Sequence, residues 1–166
     1  MTSIVTDHTG LTNRKLDTEY TFVYDAKGRI ISVQKRTPFI LGDIEMDYNF
    51  GYNDKNNVTA VGLHVFTVPV ELDGTYFTIS DYDDKPTPYA GIKNWAIILN
   101  EWGSYDPVNM ITALSRNNPK KITSVRDDKT VIDLSYEYNG ERYPVKRATN
   151  HDGKYIFTQT FAYNCK

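Results

Sequence analysis

The feature that most constrains the fold of this chain is a module that occurs three times: aromatics at alternate positions, a polar turn, then an apolar-alternating return. The copies are Tyr20-Thr21-Phe22-Val23-Tyr24-Asp25 through Gly28 to Ile30, Tyr48-Asn49-Phe50-Gly51-Tyr52-Asn53 through Asn57 to Val58, and Leu134-Ser135-Tyr136-Glu137-Tyr138-Asn139-Gly140 through Tyr143 to Pro144. Period-two aromatics suit a pleated, half-buried surface, and Asp, Asn and Gly suit the turn, so each copy predicts a β-hairpin. A repeated hairpin specifies architecture and leaves the chemistry open.

Composition agrees. At 166 residues the length fits one domain, 1–166, able to bury a core without disulfides or metal. Thirteen tyrosines tilt the class further toward β, because the ring packs while the hydroxyl stays wet. A net charge of -2 supplies no basic footprint for a phosphate backbone, so no nucleic acid partner is expected. The single cysteine, Cys165, allows no intrachain disulfide and no thiolate cluster. Met1–His8 lacks the basic segment and apolar run of an export signal, so no signal peptide is expected there. The longest apolar stretch, Trp95–Leu99, is core-sized, so no membrane-spanning segment is expected.

Strands are predicted at 18–25, 28–36, 43–53 and 57–67, then at 68–72 and 75–80 split by an Asp73-Gly74 hairpin turn, and finally at 121–126, 130–139, 143–149 and 153–164. Asn139-Gly140 and Asp152-Gly153 read as turns. The fold expected is mainly β, an antiparallel meander of nine or ten strands forming a curved sheet or half-barrel. Residues 81–119 hold both tryptophans and break the alternation, so they read as a short helical or loop insertion. Within it Ile92, Trp95, Ala96 and Leu99 predict a helix over 91–102. A second is predicted from Asp106 as N-cap with Pro107 in the first turn, carrying Val108, Ile111 and Leu114. With Trp95, Leu99, Ile111 and Leu114 the insertion is the expected cover for the sheet's apolar face.

Candidate chemistry is thin. Asp43, Glu45 and Asp47 share one strand face and would serve a cation or an acid/base pair, but Lys35 and Arg36 across the corner make ordinary cross-strand pairs the plainer reading. Asp81, Asp83 and Asp84 lack the glycine and distal glutamate of a calcium loop and read as turn acids. His8, His64 and His151 share no metal spacing. No catalytic residue, metal site or cofactor is therefore expected. The aromatic concentration around the insertion supplies the candidate ligand contacts Trp102, Tyr89, Tyr105 and Tyr82, with Trp102 the ring left freest at a helix end before Gly103.

Together with the modules, Asp84-Lys85-Pro86-Thr87-Pro88-Tyr89, Asn117-Asn118-Pro119 and the closing Tyr143–Arg147 through Tyr163 resemble the carboxyl-terminal part of a family of Bacteroidota envelope lipoproteins of unknown function. The likeness covers roughly 18–166. It implies a porin-like curved antiparallel sheet, a cell-envelope location (periplasm or outer-membrane surface), and a lipid-bearing cysteine upstream of the first strand, which this sequence does not show there. It implies no catalytic residues. The modules alone also resemble the tyrosine–aspartate repeats of large secreted shell proteins, to which the helical insertion is foreign.

Two functions follow as expectations. One is a non-catalytic envelope protein binding a glycan, peptide or protein partner through the sheet face and the aromatic insertion, or serving a purely structural role. The other is a carboxylate-dependent hydrolase, which needs two of the six acids above to converge in a cleft. A membrane pore is separated from this chain by too few strands and no continuous outward apolar band.

Overall fold

The three modules form the same turn. Asp25 Oδ1 accepts the backbone N–H groups of Lys27 and Arg29, both at 2.9 Å. Asn53 Oδ1 accepts those of Lys55 and Asn57, both at 3.0 Å. Asn139 Oδ1 accepts those of Glu141 and Tyr143, at 3.1 and 2.9 Å. Backbone bonds close each loop identically, from Gly28, Asn56 and Arg142 back to the Asx carbonyl. Those three residues take left-handed conformations, with φ of 75°, 63° and 70°. This is the three-residue hairpin loop in which an Asx side chain replaces the strand ladder at the tip. The third turn therefore extends past Asn139-Gly140 to Tyr143, with Arg142, not Gly140, in the left-handed position. Asp152-Gly153 forms as expected, both residues at positive φ.

This computed structural model describes residues 2–6, 18–38, 43–67, 70–90, 107–126 and 129–163. The strands are β1 (Thr2–Thr6), β2 (Thr18–Tyr24), β3 (Ile30–Thr37), β4 (Ile44–Tyr52), β5 (Val58–Thr67), β6 (Val70–Pro86), β7 (Asn117–Ser124), β8 (Val131–Tyr138), β9 (Pro144–His151) and β10 (Lys154–Thr160). They hydrogen-bond in chain order, so the mainly β antiparallel meander read from the sequence is the fold. A short helix, α1 (Pro107–Leu114), begins at the proline that marked it.

Three expectations are corrected. β1 forms where the sequence pattern predicts no strand; it pairs with β2, Thr2 opposite Phe22 through Thr6 opposite Thr18. Asp73-Gly74 is no hairpin turn, because only Gly74 lies at positive φ and β6 runs straight through it. The sheet also extends into the supposed insertion, since Asp81, Tyr82 and Pro86 still pair with Lys121, Pro119 and Asn117. The helix predicted over 91–102, with Trp95 and Leu99, lies outside the described residues.

The chain packs as two compact groups, residues 1–51 with 60–76 and residues 52–59 with 77–166. In the first, Phe22 opposes Val33 across β2 and β3, and both are buried with Tyr20, Ile30, Phe50 and Val61. Lys35 opposes Tyr20 on that inner face, its Nζ 5.8 Å from the ring centroid, so it is not the partner of the acidic row. Among the described residues Arg36 alone serves that row, pairing with Asp43 and lying 3.7 Å from Glu45. Asp47 stands opposite Gln34. In the second group Ile79, Ile122 and Ile132 oppose one another across β6, β7 and β8. Val108, Met110, Ile111 and Ala113 of α1 are buried in the same group.

The turn geometry makes a signed prediction. Gly28→Ala meets open space but forces an L side chain to φ +75°, and is expected to cost about 1 kcal/mol. Arg142→Gly relieves the same conformation and is expected to stabilise, so urea midpoints should move in opposite directions. The Arg29 backbone N–H holds the Asp25 carboxyl below its ordinary value, aided by the guanidinium and by the Lys27 N–H. A depressed carboxyl stabilises above the unfolded Asp value, about 3.9, and that contribution is lost as pH falls through the folded value. Asp25→Asn should therefore flatten the acid limb of the stability profile, whereas the asparagine turns contribute none of it.

Candidate functional site

Proline spacing dictates the geometry between β6 and β7. Pro86, Pro88 and Pro119 carry no N–H, and the pairing of β6 with β7 shifts register at Ile79/Asp81, Asp81/Tyr82 and Tyr82/Pro86. Asn118, fully buried at 0% exposure, takes the place of the missing ladder. Its side-chain nitrogen reaches Pro86 O at 3.0 Å, Asp83 Oδ2 at 3.1 Å and Lys85 O at 3.3 Å, and its backbone N–H donates to Asp83 Oδ1 at 3.1 Å. Asn117 Nδ2 adds a bond to Lys85 O at 3.2 Å. The Lys85-Pro86 and Asn117-Asn118-Pro119 motifs are thus two halves of one contact.

A second joint ties the Asn53–Asn57 turn to the end of α1. Asn57 Oδ1 accepts the Asn117 N–H at 2.8 Å, and Asn57 Nδ2 donates to Asn117 Oδ1 at 3.2 Å. The Val58 N–H donates to Ser115 Oγ at 3.1 Å, and the Tyr82 hydroxyl donates to Val58 O at 2.5 Å. Burial pushes the Tyr82 phenol up.

These joints frame an open cleft of about 570 Å³ in the second group. Its walls carry Tyr82, Tyr136 and Tyr138, the cations Lys55, Lys85 and Lys120, and the acids Asp83 and Asp84. The rings of Tyr136 and Tyr138 lie 6.2 Å apart at 30°, and Lys85 Nζ sits 4.6 Å from the Tyr138 centroid. Asp83 accepts from Asn118, from the Lys85 N–H at 2.9 Å and from the Tyr138 hydroxyl. Burial pushes the Tyr138 phenol up, reinforced by that bond to Asp83. Asp84 is bound by Arg142 at 2.6 Å and Lys85 at 3.3 Å. The Lys55 and Lys120 ammonium groups have no ion-pair partner among the described residues.

The structure distributes the sequence-named residues as follows. Tyr82 lines the cleft with its hydroxyl committed to the backbone. Tyr89 packs edge-on against Phe161 at 6.5 Å, and its hydroxyl donates to Asn109 Oδ1 at 3.3 Å. Trp102 and Tyr105 lie outside the described residues. Asp83 and Asp84 meet in the cleft; Asp81 is exposed opposite Lys121. Sequence reasoning passed over Lys55, Lys120, Tyr136 and Tyr138, although both tyrosines stood in the third module. Among the described residues no group of three or more potential metal ligands forms.

No protein-family model and no curated protein matches the chain. Among solved structures it is similar to a porin-like protein from Bacteroides uniformis, at 11% identity over 93% of this chain and 92% of that one, with a TM-score of 0.32. No helix among the described residues is long and apolar enough to cross a membrane.

Asn118→Ala strips several bonds from buried acceptors and is expected to cost more than about 2 kcal/mol in urea melts. Tyr138→Phe, which removes one bond to a carboxylate, should cost about 1.5–3 kcal/mol. At high pH the sign is fixed by the raised phenols, including Tyr163, which burial pushes up to about 12. The folded state holds these protons after the unfolded state releases them near pH 10, so stability is full below about 10 and falls above it. Absorbance at 295 nm should show a class of tyrosines that ionises only as the protein unfolds.

Proposed function

We propose that this chain is a non-catalytic envelope protein that binds a glycan in the cleft of tyrosines and lysines. The observation supporting it is the composition of that cleft: three tyrosines, one aliphatic side chain in Leu134, and polar or charged groups elsewhere. A hydroxyl-rich ligand with sugar faces suits such walls, whereas a site for apolar side chains needs a mostly apolar lining. Both acids of the cleft are already occupied by donors, which argues against the hydrolase reading, since paired-carboxylate hydrolysis needs a free acid and a free base. The envelope half of the reading rests on the Lys85-Pro86-Thr87-Pro88 and Asn117-Asn118-Pro119 motifs.

Lys55 and Lys120, which have no ion-pair partner among the described residues, favour sugars that carry carboxylates. In calorimetric titrations against neutral and uronate-containing oligosaccharides, acidic members are expected to bind saturably. Lys55→Ala with Lys120→Ala should weaken them about tenfold, as two exposed charge contacts of up to about 1 kcal/mol each would. The melting temperature should stay unchanged. Absence of saturable binding across the panel sinks the glycan reading, and release of new reducing ends sinks the non-catalytic one.

A further inference from the structure

Arg147 has the largest of the fully buried side chains, at 0% exposure. Its Nη2 donates to Asn109 Oδ1 at 3.0 Å, an acceptor shared with the Tyr89 hydroxyl. Its Nε and Nη1 are buried, the neutral Tyr136 hydroxyl faces the guanidinium besides Asn109, and no carboxylate among the described residues pairs with it. An isolated buried charge costs several kcal/mol, so a guanidinium in this position calls for a counter-charge.

The neighbours of Arg147 share its condition. Register places Tyr136 of β8 and Gln159 of β10 directly opposite it, one on each side. Thr149 follows two residues along β9 on the same face and is 1% exposed. Thr149 Oγ1 and Gln159 Oε1 are buried without a partner among the described residues, while the Tyr136 hydroxyl faces Arg147 and Thr112. Hydroxyls donate as readily as they accept, and a carboxamide turns its NH₂ inward at little cost. Three strands therefore set a cation and three side chains able to donate side by side on one face, with no carboxylate paired to that cation among the described residues.

We propose that this row is an interior site for a small anion, a halide or a formate-sized carboxylate, held by the Arg147 guanidinium with Thr149 and Gln159. The anion supplies the counter-charge and accepts the hydrogen bonds that the described residues leave unmade. The site is distinct from the glycan reading of the cleft and stands without it.

The test is thermal melting of the full chain in sodium gluconate at constant ionic strength, with gluconate replaced stepwise by chloride or bromide. Wild type is expected to rise saturably, by about 3 °C at tenfold saturation, while chloride and bromide differ in midpoint. Gln159→Glu places a carboxylate opposite Arg147 and should abolish the halide response while keeping the fold. Arg147→Met should abolish it too. Should Arg147→Met fail to fold, bromide-soaked crystals of the wild type should show anomalous density beside Nε. Identical melting of the wild type in every salt means that water or a carboxylate of the chain itself fills the place, and overturns the proposal. A halide response that survives unchanged in Gln159→Glu also overturns it.

Discussion

The amide of Asn118 is the interaction on which the second half of the chain depends. Prolines at 86 and 119 break the ladder where β6 meets β7, and a broken ladder in a sheet interior leaves carbonyls without donors. Asn118 answers two of those carbonyls and at the same time orients Asp83, which in turn receives the Tyr138 hydroxyl. The wall of the cleft is thus set by a relay from proline spacing through one asparagine and one aspartate to an aromatic ring. Glutamine would be too long for this geometry, and aspartate would place a second carboxylate against Asp83 with no amide hydrogens to give the carbonyls.

Much of the architecture was legible because it is written in local chemistry. An Asx residue three positions before a left-handed residue is a short-range signal, and all three modules obey it. The same logic explains the misreadings. Asp152-Gly153 turns because both residues take positive φ, whereas Asp73 does not, so Gly74 lies within a strand that continues. Whether a two-residue signal closes a hairpin is decided by what the flanking strands pair with, and β6 finds β7 across a long interval of sequence. β1 was invisible for a related reason: five residues of mixed polarity acquire strand identity only from β2.

The site was less legible because its meaning lies in contacts between distant segments. Lys85-Pro86 and Asn117-Asn118-Pro119 stood out as motifs, yet nothing local says that the two touch. Asp83 looked like one of three turn acids; the sequence does not distinguish an exposed Asp84 from an Asp83 saturated with donors. Arg147 was hidden by the ordinary rule that charged strand residues face water. One signal was present: Val145, Arg147 and Thr149 share a parity on β9, and Thr149 opposes the buried Leu134.

The inner face of β8 and its neighbours changes character along its length. Ile79, Ile122 and Ile132 form an apolar row; Leu134 with Thr149 is transitional; Tyr136, Arg147 and Gln159 form a polar one. Helix α1 carries both kinds of residue within two turns, Val108 and Ile111 for the apolar part and Asn109 for the guanidinium. The apolar row accounts for stability by burial and would tolerate other apolar side chains of similar volume. The polar row gains nothing from burial unless each group is satisfied, because removing one member leaves the others buried and unpaired. Tyr136 links the two environments, its ring on the cleft wall and its hydroxyl in the polar row. Whatever orders the hydroxyl also orders the ring, so the interior row fixes part of the surface that a ligand meets.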